Sequence, residues 1–283
     1  MASKHTVPSS YGTGVSHHSN GPGANGRAPI DAVETIQLRN DEILIPDIVD
    51  THVHINEPGR TAWEGFACAT RAAECEANAV RKIVRLVART SCRTHILHVS
   101  SGLTVDSLRQ AKAEGLPVSA ETCPHYLTLD CDHIPDNATE FKCCPPIRDL
   151  REQDALWEGL ADGTLDCVVT DHSPADAGMK AGTFATAWGG VSSLQVGFRT
   201  VLTGALKRGF ALSDVVRWMP RNTARLAGLD DRGEIAPGLR ADLAIVRPRS
   251  GCPLPKNVPN PPTAGCHSMS ADWGRTRIRS QPR

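Results

Sequence analysis

The chain has 283 residues, with 31 Lys and Arg balanced by 31 Asp and Glu and 40% hydrophobic residues. That length suits one large domain or two small ones, with an apolar content ordinary for a globular fold. Zero formal net charge argues against electrostatic capture by nucleic acid or an anionic membrane, and without a long apolar run or a signal-type apolar core the expectation is a soluble, cytoplasmic protein.

Residues 1–30 are rich in Ser, Gly, His and Pro with no apolar period. Such a stretch cannot bury enough surface to offset its ordering entropy, so coil is expected there. The first strand is expected over residues 43–50, an apolar run that leads into Asp50-Thr51-His52-Val53-His54. Side chains alternate along a strand, so His52 and His54 would leave one face together, close enough to grip one metal ion. Imidazole suits zinc, iron or cobalt. The bland alternative is a pair of surface histidines at a strand end.

Further along, residues 62–73 and 76–90 read as two fused helices and 94–99 as a strand with His98 near its end. A helix over 105–114 should start from Thr104 as N-cap and stop at Gly115. Strand 116–121 runs into Thr122, Cys123 and His125. A loop region reaches 150, helix 151–161 follows, and strand 165–170 ends at Asp171 and His172. Helix 191–208, short helices 212–219 and 221–227, and a strand over 242–246 complete the pattern. Metal-type or acid–base side chains gather at successive strand ends, as in a (β/α) barrel. Taken singly, His98 and His125 are more often satisfied core or loop histidines than ligands.

Several motifs carry a closer resemblance. Asp50–His54 with Ile55–Arg60, Trp63–Phe66, His98–Ser101, Glu121–Tyr126, Phe141–Arg148, Asp171–Pro174, Ala187–Gly190, Arg217–Met219 and Gly238–Leu243 resemble the cyclic amidohydrolases, a family that includes allantoinases, dihydropyrimidinases, hydantoinases and dihydroorotases. The Lys142–Arg148 and Ala187–Gly190 runs are more similar to allantoinases than to the other members. The resemblance implies an α/β fold of the amidohydrolase TIM-barrel type with a small β-sandwich. It also implies hydrolysis of the cyclic amide of allantoin to allantoate, in purine catabolism, by hydroxide activated on two zinc ions. By the same resemblance His52, His54, His98 and Asp171 are metal ligands, and Asp171 is also the catalytic proton shuttle. Cys144 and Gly190 would contact the substrate, with His125 and His172 near the site in unassigned roles. Relatives are commonly tetramers, so a homo-oligomer is expected.

The pattern departs from the family in one stretch. A carboxylated lysine bridging the metals and a further histidine should lie between the first helix and the helix before His98. Instead Arg71-Ala72-Ala73 runs directly into Glu74-Cys75-Glu76. Lys82 lies on a polar helix face and Lys142 belongs to another motif. A barrel of this kind needs about 250 residues, roughly thirty per unit, and residues 52–171 supply about half the units expected by that yardstick. An internal deletion is therefore expected, leaving a partial barrel over 42–230, a remnant of the β-domain over 231–247 and a coil over 248–283 whose Pro- and Arg-rich text fits no family strand. The arginines of that tail lack interleaved aromatics and read as solvated coil rather than a nucleic-acid surface. The ten cysteines lack paired spacing and are expected as reduced thiols.

Three functions remain open: an allantoinase-type hydrolase impaired by two lost ligands, a catalytically inactive amidohydrolase-like protein, and a dihydropyrimidinase- or dihydroorotase-type enzyme.

Overall fold

The computed structural model describes residues 4–7, 16–18, 34–39, 41–52 and 72–246. These fall into two compact units, one holding the described residues up to Val49 and from Pro220 onward, the other Asp50–Met219.

In the first unit, β1 (Lys4–Val7), β2 (Ser16–His18) and β3 (Glu34–Gln37) form an antiparallel sheet in the order β2-β1-β3. Two of these strands fall in the stretch where composition led to an expectation of coil. Next comes β4 (Ile43–Pro46), which pairs antiparallel with a strand at the far end of the described chain, Leu243–Val246, in the register Ile43↔Val246. The expected strand over 43–50 therefore ends early and does not join the parallel sheet. Beyond Pro46 one further bond, Asp47 N–H to Asp242 O at 2.8 Å, continues the pairing. The Asp47 carboxylate then takes the Ile48 amide at 2.9 Å, which turns the chain away from the ladder. His52 consequently stands on irregular backbone, not on a strand.

The second unit opens with α1 (Ala72–Thr90), one continuous helix. Ala77, Val80 and Val87 are buried while most of its charged residues are exposed, the helical period of one apolar stripe. Two βα steps and a third strand follow: β5 (Thr94–Ile96), α2 (Gly102–Ala113), β6 (Val118–Thr122), α3 (Leu150–Ala161) and β7 (Cys167–Val168). The strands are parallel in the order β5-β6-β7, with Thr94↔Val118 and Glu121↔Cys167 in register. Parallel neighbours require crossovers, which α2 and α3 supply. Among the described residues this sheet has three strands and does not close into a barrel. Three strands are too few for the tilt and shear that closure needs.

α2 starts earlier than expected because carboxylates from other helices serve its first amides. Glu76 Oε1 accepts from Ser100 and Ser101 N–H at 3.1 and 3.2 Å, and Glu152 accepts from Gly102 N–H. Thr104, the expected cap, is buried inside the helix with no partner on its hydroxyl. The expected stop holds. Gly115 at φ 75° lets Leu116 N–H reach Ala111 O and Gly115 N–H reach Lys112 O, a Schellman closure. In α3, Asp149 caps the Arg151 and Glu152 amides, both at 3.1 Å.

After β7 the chain makes α4 (Gly197–Lys207), α5 (Leu212–Val216), a π-helical turn over Arg217–Arg221, α6 (Asn222–Leu226) and β8 (Leu243–Val246). Trp157, Phe210 and Trp218 cluster with ring centroids 5.3–6.1 Å apart. Their indole N–H groups donate to Leu127 O and Leu160 O at 3.1 and 3.2 Å, so the large apolar rings are buried without an orphaned donor. This cluster ties α3 to the segment around Phe210 and Trp218. No helix among the described residues is long and apolar enough to cross a membrane.

Candidate metal centre

The C-terminal ends of β5, β6 and β7 converge, as parallel strands require. They bring together His98 after β5, Glu121, Cys123 and His125 at the end of β6, and Asp171 after β7. His98 and Asp171 have positive φ, 36° and 44°, and among the described non-glycine residues only Ser91 shares that trait. Such backbone is costly for an L-residue and persists where the surroundings over-determine it. Here the left-handed step turns a side chain off the strand end.

His52 is clasped onto these ends from outside the sheet. Asp50 accepts from Thr170 N–H at 3.2 Å and from the Thr170 hydroxyl, pinning residues 50–52 against the turn before Asp171. His52 Nδ1 then lies 2.6 Å from Glu121 Oε1, and its Nε2 lies 3.2 Å from Asp171 Oδ1. The second Glu121 oxygen meets His95 Nε2 at 3.0 Å, and His95 Nδ1 meets the Ser119 hydroxyl at 2.7 Å. The His52 and His98 rings stand 5.6 Å apart, tilted at 36°.

The charges are coupled. The Glu121 hydrogen bond raises the His52 pKa against the opposing effect of burial, with Asp171 adding to the rise. Burial pushes the Glu121 carboxyl up, but its hydrogen bonds to His52 and His95 outweigh that and leave it below the ordinary value. Burial lowers His98, with Asp171 opposing. Burial takes His125 down to about 4. His98 and His125 are thus favoured as neutral imidazoles, the form that ligates metal.

His172 is occupied structurally. Its Nδ1 accepts from the Ser193 and Leu194 amides at 3.1 and 3.2 Å, which requires a bare Nδ1, and burial lowers its pKa accordingly. Those bonds, with the His172↔Val191 bridge, hold residues 191–196 out of the helix expected from 191. This is why α4 starts at Gly197.

The loops bearing Cys144 and Gly190 lie side by side. A Cβ on Gly189 would sit 4.0 Å from Cys144 Cβ, and Gly190 N–H donates to Lys142 O at 2.8 Å. Gly190 has φ 156°, and a Cβ there would meet Ser173 O at 2.6 Å. Lys180, which the sequence reading passed over, ties these loops by donating to Lys142 O at 2.9 Å and Gly190 O at 2.6 Å. Burial lowers its pKa to about 8.

The structure therefore brings His52, His98, His125, His172 and Asp171 to one end of the sheet and sets Cys144 beside Gly190. His54 lies outside the described residues. The sequence reading also missed Glu121 as the partner of His52, and His95 as the partner of the second Glu121 oxygen. A glutamate near the end of a buried strand was the available signal for the first of them. The donor set His52, His98 and Asp171 combines two imidazoles and a carboxylate, chemistry that fits a divalent transition metal. His52 with Glu121 behind it has the carboxylate–histidine arrangement that orients metal ligands.

The sequence pattern of the Amidohydrolase family matches residues 76–265, and the chain belongs to that family. It is similar to an allantoinase of Streptomyces avermitilis, 51% identical over 180 residues, which cover 64% of this chain and 40% of that protein. An allantoinase of Escherichia coli K12 is 40% identical over 209 residues, covering 74% of this chain and 45% of the relative. Among solved structures, the dihydropyrimidinase from Brevibacillus agri superposes with a TM-score of 0.59 at 28% identity, over 63% of this chain and 41% of that one. A D-hydantoinase from a Bacillus species gives 0.60 at 28%, with the same coverage. The chain spans less than half the length of these relatives.

Proposed function

We propose that this chain carries part of the active site of an allantoinase-type cyclic amidohydrolase, opening the ring amide of allantoin to allantoate. The observation that supports it best is the placement of Asp171, whose Oδ1 lies 3.2 Å from His52 Nε2 while Glu121 holds the opposite ring nitrogen at 2.6 Å. His52, His54 and Asp171 would hold one ion of a metal pair and His98 the other, zinc by resemblance. Such an ion lowers the pKa of water from about 15.7 to near 7.

The remaining steps belong to the protein. Glu121 keeps the proton of His52 on Nδ1 and so aims the Nε2 lone pair into the site. Asp171 takes a proton from the attacking water and returns it to the ring nitrogen as the amide bond breaks. The adjacent loops of Cys144 and Gly190 would face the ring. The Gly190 N–H is already given to Lys142 O and its carbonyl already accepts from Lys180, so a second carbonyl lone pair is what that residue can still offer a substrate.

The bridging lysine and one histidine have no counterpart in the chain, consistent with an internal deletion that impairs turnover. Oligomerisation of the family type is part of the same proposal. A second reading, a dihydropyrimidinase-type substrate, draws on the structural neighbours alone.

The test is zinc per chain by elemental analysis, together with hydrolysis of allantoin, dihydrouracil and dihydroorotate by the same sample. Bound zinc with allantoate formed more slowly than by an intact relative is the expected result. Turnover of dihydrouracil in preference to allantoin would replace the reading with the second one. Zinc-free, inert protein would leave an inactive family member.

A further inference from the structure

One cluster of donors extends beyond the ligand set above and shares only Asp171 with it. Cys123, His125 and Asp171 are all buried, and their ligating atoms lie within 4.8 Å of one another. His125 is the telling member. It is 4% exposed, and neither ring nitrogen has a hydrogen-bond partner. A neutral imidazole carries one donor and one acceptor, and buried polar atoms are nearly always satisfied, so two orphaned nitrogens call for a partner such as water or an ion. Tyr126, packed edge-on at 4.2 Å, cannot supply one, because its hydroxyl donates to Pro145 O at 2.7 Å.

We propose that Cys123, His125 and Asp171 form a second, thiolate-containing site for a divalent transition-metal ion such as zinc, with Asp171 shared between this site and His52. The proposal rests on the reading of Asp171 as a ligand. Sulfur, imidazole nitrogen and carboxylate oxygen together select zinc or cobalt over magnesium or calcium. Donors on a tetrahedral zinc stand about 3.4–3.6 Å apart, so these three need close by little more than roughly an ångström. Cys123 directly follows β6, His125 lies two residues on, and Asp171 stands off the end of the neighbouring β7. The site is thus built where two paired strands end. Loading replaces the thiol proton by the metal–sulfur bond and releases that proton to solvent, with no change of oxidation state.

Cobalt(II) added to the metal-free full chain separates the outcomes. A thiolate-to-cobalt charge-transfer band in the near ultraviolet, stoichiometric with the chain, is the expected result. The band should vanish in Cys123→Ser and require at least about tenfold more cobalt in His125→Gln, while Cys143→Ala and Cys167→Ala retain it. Cobalt that shows visible d–d bands without charge transfer would overturn the thiolate site and leave the His52–His98–Asp171 centre standing. A band that survives Cys123→Ser and disappears in Cys167→Ala would move the thiolate site to His95, Glu121 and Cys167, which also lie within 4.8 Å of one another. No cobalt bound at all would remove both sites. A wild-type spectrum without the charge-transfer band overturns the site even where a variant fails to fold.

Discussion

Replacing Glu121 by Gln tests the electrostatic core of the site. The carboxylate is 1% exposed and receives His52 at 2.6 Å and His95 at 3.0 Å. Hydrogen bonds to a charged group are worth about 1.5–3 kcal/mol, against about 0.5–1.5 between neutral groups. Glutamine keeps the shape and some bonding, so the loss is the charge assistance, about 1 kcal/mol per bond and about 2 kcal/mol together. The pH dependence follows from the shifts. His52 is raised above 6.5, so its contribution is complete below 6.5 and is lost as pH rises through the folded value. Glu121 is lowered below 4.5, so its contribution is complete above 4.5 and is lost as pH falls through the folded value. The stability gap between the parent and Glu121→Gln is therefore widest between pH 4.5 and 6.5 and narrows on either side. Urea unfolding of both proteins in chelator, across that range and beyond, measures it. A gap that stays flat with pH, or stays under about 0.5 kcal/mol throughout, would refute the coupling described.

Other expectations concern separate features. Gly190→Ala should lower the urea midpoint by the equivalent of about 1–3 kcal/mol, since its Cβ would collide with Ser173 O on backbone that favours glycine; an unchanged midpoint would contradict the close approach. Glu76→Ala removes the acceptor for the Ser100 and Ser101 amides and for Arg148 at 3.1 Å. A loss of about 3 kcal/mol is expected, with faster hydrogen exchange at those two amides. Asp171→Asn should abolish any allantoin hydrolysis while far-ultraviolet circular dichroism stays as in the parent, and hydrolysis surviving this change would remove Asp171 from the proton-transfer role.

What the sequence revealed, and what it hid, can be traced residue by residue. Helices with a clear apolar stripe, α1 and α3, and the parallel strands that precede His98 and Asp171 were visible in the periodicity, although both strands are shorter than expected. Gly115 signalled its helix end because a left-handed step leaves few other choices. The start of α2 was hidden, because its cap comes from Glu76 and Glu152 on other helices, and no local signal marks a distant carboxylate. The first strand was read too long because Ile48 and Val49 continue the apolar run, while pairing with residues 243–246 limits the ladder. Helix 191–208 failed at its front for a similar reason, since His172 captures the Ser193 and Leu194 amides. Within the site, His98 and Asp171 stood out as polar groups at strand ends. Glu121 and His95 did not, because Glu121 acts by meeting His52 from outside the sheet and His95 from the neighbouring strand, relations carried by topology rather than by spacing.

The clasp between residues 50–52 and the sheet ends also bears on the order of assembly. β5, α2 and β6 occupy one continuous stretch, residues 94–122, so their contacts close short loops. His52 meets Glu121 across 69 positions and Asp50 meets Thr170 across 120, pairings whose loop-closure entropy must be met before any contact rewards it. The clasp is accordingly a late event in folding and an early one in unfolding. An ion gripped there would act as a brake: it would lengthen the lifetime of the folded unit many-fold while leaving the speed of refolding almost untouched.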